Sequence, residues 1–163
     1  MIIELNPRDV HTAAAMLSVQ IPAYEKEAEL IQFDGIPQLK DTAETLGMTE
    51  ETFIGWMAAG ELAGFLSYQL EAGAFVICRL VVHPKHTRQG IASALLDHFL
   101  ARIANEGKVS VSTGEGNVPA KRLYAQFGFR EKGRSQVAPC VWIVTMVKYG
   151  KWCSTDENPS ERT

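Results

Sequence analysis

The segment from Leu80 to Ala92 combines an apolar strand, a turn and a helix start in a way that suits anion binding. The apolar run stops at Pro84, which has no N–H group to donate to a sheet, and a helical pattern begins at Gly90. The first N–H groups of a helix lack internal partners, and the helix dipole favours a negative group beside them. A glycine there lets the backbone approach phosphate oxygens closely. The pattern predicts a phosphate-binding turn, with an ordinary glycine-containing strand-to-helix turn as the alternative.

Other residues of this turn bear on the same prediction. Ala92 is small enough to leave a second approach to the backbone open. Arg88 or Lys85 could add a charge-assisted hydrogen bond to a phosphate. The turn does not have the dinucleotide-binding pattern G-x-G-x-x-G, so its glycine alone does not decide between the two alternatives.

A second segment, residues 117–129, decides between them. It has the spacing N-x-x-A-x-x-x-Y-x-x-x-G-F, formed by Asn117, Ala120, Tyr124, Gly128 and Phe129. This spacing resembles a stretch of the GNAT superfamily of N-acetyltransferases, and residues 87–92 resemble the acetyl-CoA-binding motif Q/R-x-x-G-x-G/A of that superfamily. The two motifs stand in the expected order, with a predicted helix and strand between them.

The first motif departs from the superfamily at its start. Thr87 stands where Gln or Arg is usual, and Arg88 stands where a glycine often follows. The helix-opening Gly90 and the small Ala92 are retained. The resemblance covers residues 52–149 well and the N-terminal third only in outline. We therefore expect the amide cradle to be kept and the hydrogen bonding of the preceding loop to differ.

The resemblance implies how acetyl-CoA would be bound. The backbone of Leu80 and Val82 would pair with the pantetheine arm as a neighbouring strand does. The thioester would lie in a slot where two parallel strands splay apart, and Asn117 would contact the cofactor arm. The pyrophosphate would lie on consecutive backbone amides, those of Arg88, Gln89, Gly90, Ile91, Ala92 and Ser93. No metal is implied.

The resemblance also implies a general acid at Tyr124, with a half-buried packing tyrosine as the alternative. A phenol of pKa about 10 stays protonated at neutral pH and can donate to a departing thiolate. No general base is identified, because the predicted strand over residues 74–82 contains no carboxylate. His83 has a suitable ordinary pKa of about 6.5, but an exposed loop histidine is the favoured interpretation.

Candidate acceptor-binding residues are Glu27, Phe33 and Asp34, which lie in the N-terminal region that covers the acceptor in this superfamily. Carboxylates there could bind a cationic amine, although most surface carboxylates are only solvated. Arg79 is the one charged residue within the predicted fourth strand. It could pair with a carboxylate, lie on a solvated face, or bind an acidic acceptor.

The N-terminal third is predicted to hold a short strand and several helices. The strand covers residues 2–5, and Asn6 or Asp9 can cap the helix that follows. Pro22 is expected to interrupt this helix and to separate it from a shorter one over residues 24–30. The expected apolar stripe of the first helix consists of Val10, Ala14, Leu17 and Ile21.

The remaining chain changes to a strand-rich pattern that predicts an α+β domain. A three-stranded β-meander runs into a β-α-β-α-β half, with these elements predicted in order: strands over 52–58, 61–70 and 74–82, a helix over 91–103, a strand over 109–113, a helix over 117–127, and one or two strands within 137–149. The resemblance implies a layered α/β/α GNAT fold. Its mixed sheet of six to seven strands would splay between strands four and five, flanked by about four helices. Residues 1–150 would form this domain, and residues 151–163 a polar tail.

Composition limits the partners. The formal net charge is −3 over 163 residues, which argues against a nucleic-acid or anionic-membrane binder. No run approaches the roughly 20 apolar residues of a membrane span, and no signal peptide is visible, so a cytoplasmic protein is expected. Cys78 and Cys140 lie in apolar runs and are expected to pack as small hydrophobes.

Two functions are compatible with these patterns. The first is an acetyl-CoA-dependent N-acetyltransferase that acetylates a primary amine of a small molecule or peptide by direct attack in a ternary complex. The second is a non-catalytic acyl-CoA-binding sensor, favoured by the missing strand carboxylate and by Thr87. The acceptor, the length of the acyl chain, and the choice between monomer and homodimer stay open.

Overall fold

The computed structural model describes residues 1–150. The predicted tail over residues 151–163 lies outside the described residues. Seven strands are present in the described part: β1 (Ile2–Leu5), β2 (Thr52–Ala58), β3 (Glu61–Glu71), β4 (Ala74–Val82), β5 (Val109–Gly114), β6 (Arg130–Ala138) and β7 (Val141–Lys148). The α-helices there are α1 (Val10–Ile31), α2 (Ala43–Gly47), α3 (Ile91–His98) and α4 (Val118–Gln126).

The strands form one mixed sheet in the order β1-β2-β3-β4-β5-β7-β6. β1 to β4 pair antiparallel in sequence, as do β5, β7 and β6, so that β4 and β5 form the parallel pair that joins the two halves. Both early hairpins turn through consecutive positive-φ residues, Ala59-Gly60 and Ala72-Gly73. Such turns match the right-handed twist of antiparallel strands. The predicted α+β fold, with a meander and a mixed sheet of six to seven strands, is confirmed, and the sheet has seven strands in the described residues.

Two apolar clusters cover opposite faces of the sheet. On one face, Met16 and Val19 of α1 and Leu46 of α2 pack against Phe53 and Phe65. On the other face, α3 and α4 pack against neighbouring residues of the same strands, such as Ile54 and Leu66. Successive strand residues point to opposite faces, so adjacent apolar residues of β2 and β3 are buried in different clusters. The sheet is therefore the middle layer of three.

Helix α1 differs from the prediction in two respects. It continues through Pro22 to residue 31, although proline removes one interior hydrogen bond. Its packing on the sheet outweighs that cost. Its buried face consists of Ala13, Met16, Val19, Gln20 and Tyr24, and the predicted stripe was wrong in phase, since Val10 is largely exposed. Asp9, one of the two candidate caps, accepts the amide of Thr12.

Strand β6 begins seven residues earlier than the predicted strand region. Its residues from Arg130 to Val137 are exposed, because β6 is the edge strand of the sheet and no layer covers it. A strand that is not half-buried carries no apolar alternation, so periodicity could not reveal it. Charged residues on such an edge also discourage pairing with other chains.

Strands β4 and β5 separate after only a short parallel pairing. Three residue pairs join them, and the last is Ile77 opposite Val111. β4 then runs on to Val82 and β5 to Gly114 without further pairing between them. The predicted splay between strands four and five is thus present, and α3 and α4 begin at the carboxyl ends of these two strands.

Candidate active site

The gap between β4 and β5 lies within a cleft that has a volume of about 380 Å³. Leu80 and Val111 line its strand walls. Tyr24 and Glu27 of α1 reach it from one face of the sheet, and Tyr124 of α4 reaches it from the other. Because the strands part here, side chains from both outer layers meet in one cleft.

A β-bulge at Cys78 changes the orientation of β4 just where the gap opens. On β3, Tyr68 is opposite Ile77 and Ser67 is opposite Arg79, so Cys78 is the extra residue of the longer strand. Ile77 consequently packs in the cluster under α3, whereas Val81 packs in the cluster under α1. Without the bulge, residues four apart on a strand would share a face.

The bulge also sets which backbone groups of β4 face the gap. The amide of His83 donates to the carbonyl of Ala63 on β3 at 2.8 Å. Alternate amides of a strand point to the same edge, so those of Leu80 and Val82 point away from β3 and toward the gap. They lie beyond the last β4–β5 pair and form an open strand edge.

The two cysteines of the described chain have different environments. Burial, with a smaller contribution from the Glu51 carboxylate, raises the pKa of the Cys78 thiol to about 11. The thiol stays protonated at neutral pH, and Cys78 is half-buried and lines the cleft. The prediction that Cys140 packs as a small hydrophobe was wrong, since it is exposed in the turn between β6 and β7 with φ 61°.

The start of α3 has the geometry that an anion site requires. Gly90 caps the helix at φ 76°, in the left-handed region that glycine favours. A Cβ atom placed there would meet no protein atom within 4 Å, so the space above this backbone is open. Arg88 also has a positive φ of 65°, a conformation that costs a non-glycine residue of order 1 kcal/mol.

Other side chains of this loop are already engaged. Lys85 pairs with Glu61 at 2.9 Å, which leaves Arg88 as the better placed of the two candidate phosphate-binding cations. His83 accepts the amide of Lys85 at its Nδ1 atom and thereby caps a short 3-10 turn over Pro84–His86. A structural role therefore accounts for His83.

Glu27 links the cleft to the start of α4. Its Oε1 atom accepts hydrogen bonds from Asn117 Nδ2 at 2.9 Å and from Thr113 Oγ1 at 3.3 Å. Asn117 also caps α4 by accepting the amide of Ala120. No described cation pairs with Glu27, so its charge is compensated only by neutral donors.

Two buried tyrosines face this carboxylate. Tyr124 is 5% exposed and Tyr24 is 8% exposed, and neither hydroxyl forms a hydrogen bond to another described residue. Burial, reinforced by the Glu27 charge, raises the pKa of both phenols well above the ordinary value. Both remain protonated at neutral pH and retain an O–H donor for a bound molecule.

Arg79 is held in a buried network, and this accounts for its place in an apolar strand. The residue is 7% exposed. Its Nε and Nη2 atoms donate to Glu51 at 2.9 and 3.0 Å, and its Nη1 atom donates to Asp41 at 2.6 Å. The same Nη1 atom donates to Gln20 Oε1 at 2.8 Å. With two carboxylates already bound, Arg79 has no free charge for an acidic acceptor.

This network fixes the loop that closes the cleft. Gln20 donates to the carbonyl of Gln38 at 3.0 Å and to Asp41 at 2.8 Å. Ile36 and Gln38 of the same loop line the cleft. A buried ion pair of this kind adds little net stability, but breaking it leaves an uncompensated charge. The network therefore connects α1, the loop and β4 as one unit.

The structure brings together most of the residues predicted from sequence. Glu27, Asn117 and Tyr124 meet in the cleft, and Phe33 lines it. Asp34 is exposed and does not line it. Sequence reasoning missed Tyr24, whose spacing of three from Glu27 places both on one face of a continuous helix. The expected break at Pro22 concealed that relation.

Comparisons with known proteins identify relatives of this chain. The model of the family described as "Acetyltransferase (GNAT) family" matches residues 15–129. The UPF0157 protein YqkA of Bacillus subtilis is 42% identical over 131 residues, covering 80% of this chain and 38% of that protein. Streptothricin acetyltransferase of Streptomyces lavendulae is 30% identical over 114 residues, covering 68% of this chain and 60% of that protein. The chain thus spans less than two thirds of the length of these relatives.

Solved structures share the fold at low sequence identity. The ribosomal-protein-S18-alanine N-acetyltransferase of Escherichia coli has a TM-score of 0.70 at 18% identity, covering 90% of this chain and 91% of that chain. An aminoglycoside 6'-N-acetyltransferase complexed with coenzyme A has a TM-score of 0.69 at 14% identity, covering 91% and 96%. No helix within residues 1–150 is long and apolar enough to cross a membrane.

The Arg79 network predicts a specific pH dependence of stability. Burial would raise the pKa of Asp41, but hydrogen bonds from Arg79, Gln20 and Thr45 outweigh it and lower that pKa. A carboxyl with a depressed pKa in the folded state stabilises the fold above its unfolded pKa of about 3.9 and loses this contribution as pH falls toward the folded value. Urea unfolding at pH 6 to 3 should therefore show a smaller loss of unfolding free energy for Asp41→Asn than for the wild type.

Asp34→Asn is the matched control for this measurement. Asp34 is exposed and has no hydrogen bond to another described residue, so its substitution should leave the acid dependence unchanged. Equal pH slopes for wild type and Asp41→Asn would contradict the assignment.

Proposed function

We propose that this chain, which belongs to the acetyltransferase (GNAT) family, transfers the acetyl group of acetyl-CoA to a primary amine of a small molecule or peptide. The amine attacks directly in a ternary complex. One observation carries the proposal: Leu80 on the open β4 edge, Glu27 and Tyr124 line the same cleft, and the glycine-capped start of α3 follows the carboxyl end of that strand along the chain. Residues 1–150 act as a single acyltransferase domain.

The described residues fit an acetyl-CoA molecule. The open edge at Leu80 and Val82 accepts the amide-rich pantetheine arm as an added strand. The α3 amides from Gly90 to Ser93 receive the pyrophosphate, where open space above the glycine supports close approach. Arg88 adds a positive charge beside it. In the superfamily motif a glycine often stands at this position. Arg88 has the left-handed backbone conformation that a glycine would adopt there, so the backbone path is kept and a cationic side chain is added.

The acceptor amine must lose a proton before it can attack. An alkylamine of pKa about 10.4 is almost fully protonated at pH 7, and freeing its lone pair costs about 4–5 kcal/mol. Glu27 binds the ammonium group through its second carboxylate oxygen, because Oε1 is occupied by Asn117 and Thr113. The proton then leaves to solvent through the open mouth of the cleft. Holding both reactants in one slot supplies much of the remaining rate.

Tyr124 stabilises the leaving sulfur. Acetyl-CoA supplies an acyl carbon activated as a thioester. As the new C–N bond forms and the C–S bond breaks, the Tyr124 O–H donates to the sulfur that is gaining negative charge. The raised pKa of Tyr124 keeps the donor in place but makes it a weak acid, so it acts chiefly as a hydrogen-bond donor. The second proton of the attacking nitrogen passes to the departing thiolate, so the products are the amide, the free thiol and the one proton released to solvent.

The cradle can be tested with a pair of glycine variants. Gly90→Ala and Gly73→Ala each place an alanine at a positive φ, 76° and 80°, with no atom within 4 Å of the new Cβ. Each should lose about 1 kcal/mol of unfolding free energy. Only Gly90→Ala should weaken acetyl-CoA binding, by about tenfold or more in calorimetry, because its methyl group occupies phosphate space. Equal affinities for the two variants would place the phosphate elsewhere.

The transferase activity can be tested by thiol release from acetyl-CoA with a panel of primary amines. Tyr124→Phe should lower kcat by about a hundredfold, in the range typical of a lost hydrogen-bond donor to a charge that develops in the transition state, and leave the KM for acetyl-CoA nearly unchanged. An unaltered kcat would remove Tyr124 from the mechanism. Tight acetyl-CoA binding without turnover of any amine would favour the non-catalytic sensor.

A further inference from the structure

The cleft has apolar lining from outside β4 and β5. Phe33 and Ile36 come from the segment after α1, and Val137, Val141 and Ile143 come from β6 and β7. These residues lie on elements other than the two strands that border the cofactor slot. They are therefore available to contact the part of an acceptor that lies behind its amine.

The charges around this part of the cleft leave one free anion. Arg79 is bound to Asp41 and Glu51, so none of these three side chains is free to pair with an acceptor. Together they carry one net negative charge, which acts on an acceptor only through its electrostatic field. Glu27 has neutral partners only among the described residues. A single ammonium group is thus matched by Glu27, and no described side chain of the cleft offers a second anion directly.

The polar atoms of the loop do not alter this balance. Gln38 lines the cleft, but its carbonyl already accepts from Gln20. Its neutral side-chain amide could orient a polar group and could not compensate a charge. A second charged group held against Ile36 and Val141, which are both only 8% exposed, would lose its hydration without gaining a partner, which is strongly unfavourable.

We infer that the acceptor is a monoamine whose carbon skeleton behind the amine is an uncharged, apolar aliphatic or aromatic body. This inference rests on the proposed function and specifies its substrate class. The ammonium group lies at Glu27, and the body lies between Phe33 and Ile36 on one side and the β6–β7 hairpin on the other. Diamines and amino acids of the same length would bring a second charged group into this apolar space, and we therefore expect them to be poor acceptors.

The test compares primary amines of matched size with acetyl-CoA and the full chain. Thiol release is measured for n-propylamine, n-pentylamine, n-heptylamine, 1,6-diaminohexane and 6-aminohexanoate. From propylamine to heptylamine, kcat/KM should rise about fourfold per added methylene, until the cleft is filled. Heptylamine should exceed 1,6-diaminohexane, which replaces its methyl end by an ammonium group, by about a hundredfold.

Val137→Asp and Leu70→Asp form a matched pair of variants. Val137 is 48% exposed at the mouth of the cleft, so an aspartate there should leave the fold intact. It should lower the ratio of heptylamine to diamine turnover at least about tenfold by providing the missing anion. Leu70 is an exposed residue near the β3–β4 hairpin and does not line the cleft, so Leu70→Asp should leave the ratio unchanged.

Each outcome bears on the inference separately from the proposed function. Turnover of the diamine or of 6-aminohexanoate as fast as heptylamine would overturn the apolar-body inference and leave the amine acetylation in place. A ratio that is unchanged in Val137→Asp would also overturn it. Turnover of no amine at all would overturn both.

Discussion

The separation of β4 from β5 after three residue pairs is the constraint on which the rest of the site depends. A sheet that stayed paired would satisfy its own backbone groups and would leave no edge for a ligand. The bulge at Cys78 reorients β4 at the point of separation, so that the amides of Leu80 and Val82 turn toward the gap. The same gap lets Tyr24 and Tyr124, which belong to clusters on opposite faces of the sheet, face one carboxylate.

The gap needs support, because separated strands lose mutual hydrogen bonds and the packing that goes with them. On the β4 side, Arg79 ties the strand to Glu51 and Asp41, and through Gln20 to the loop over the cleft. On the β5 side, Glu27 ties α1 to Asn117 at the start of α4. Polar groups thus connect the layers where apolar packing is interrupted. Since each is hydrogen-bonded, the cost of burying them is offset.

The sequence predicted the elements whose local pattern matches their burial. The β2–β4 meander has apolar strands separated by turn residues, and of the residues in the two motifs Gly90 caps α3 while Asn117 and Tyr124 line the cleft. The errors arose where tertiary context overrides local preference. Pro22 stays within α1 because packing outweighs the lost hydrogen bond, and β6 is an exposed edge without alternation. The carboxylate partners of Arg79, Glu51 and Asp41, are 28 and 38 residues away along the chain, a distance over which periodicity carries no information.

We expect the open β4 edge and the start of α3 to bind one coenzyme A molecule together, and backbone amide NMR during a titration with coenzyme A measures this. The amide signals of Leu80 and Val82 and those of residues 90–93 should shift along the same saturation curve, while the signals of the Gly73 hairpin stay in place. Saturation of binding with the Leu80 and Val82 signals unmoved would show that the cofactor does not lie along the β4 edge.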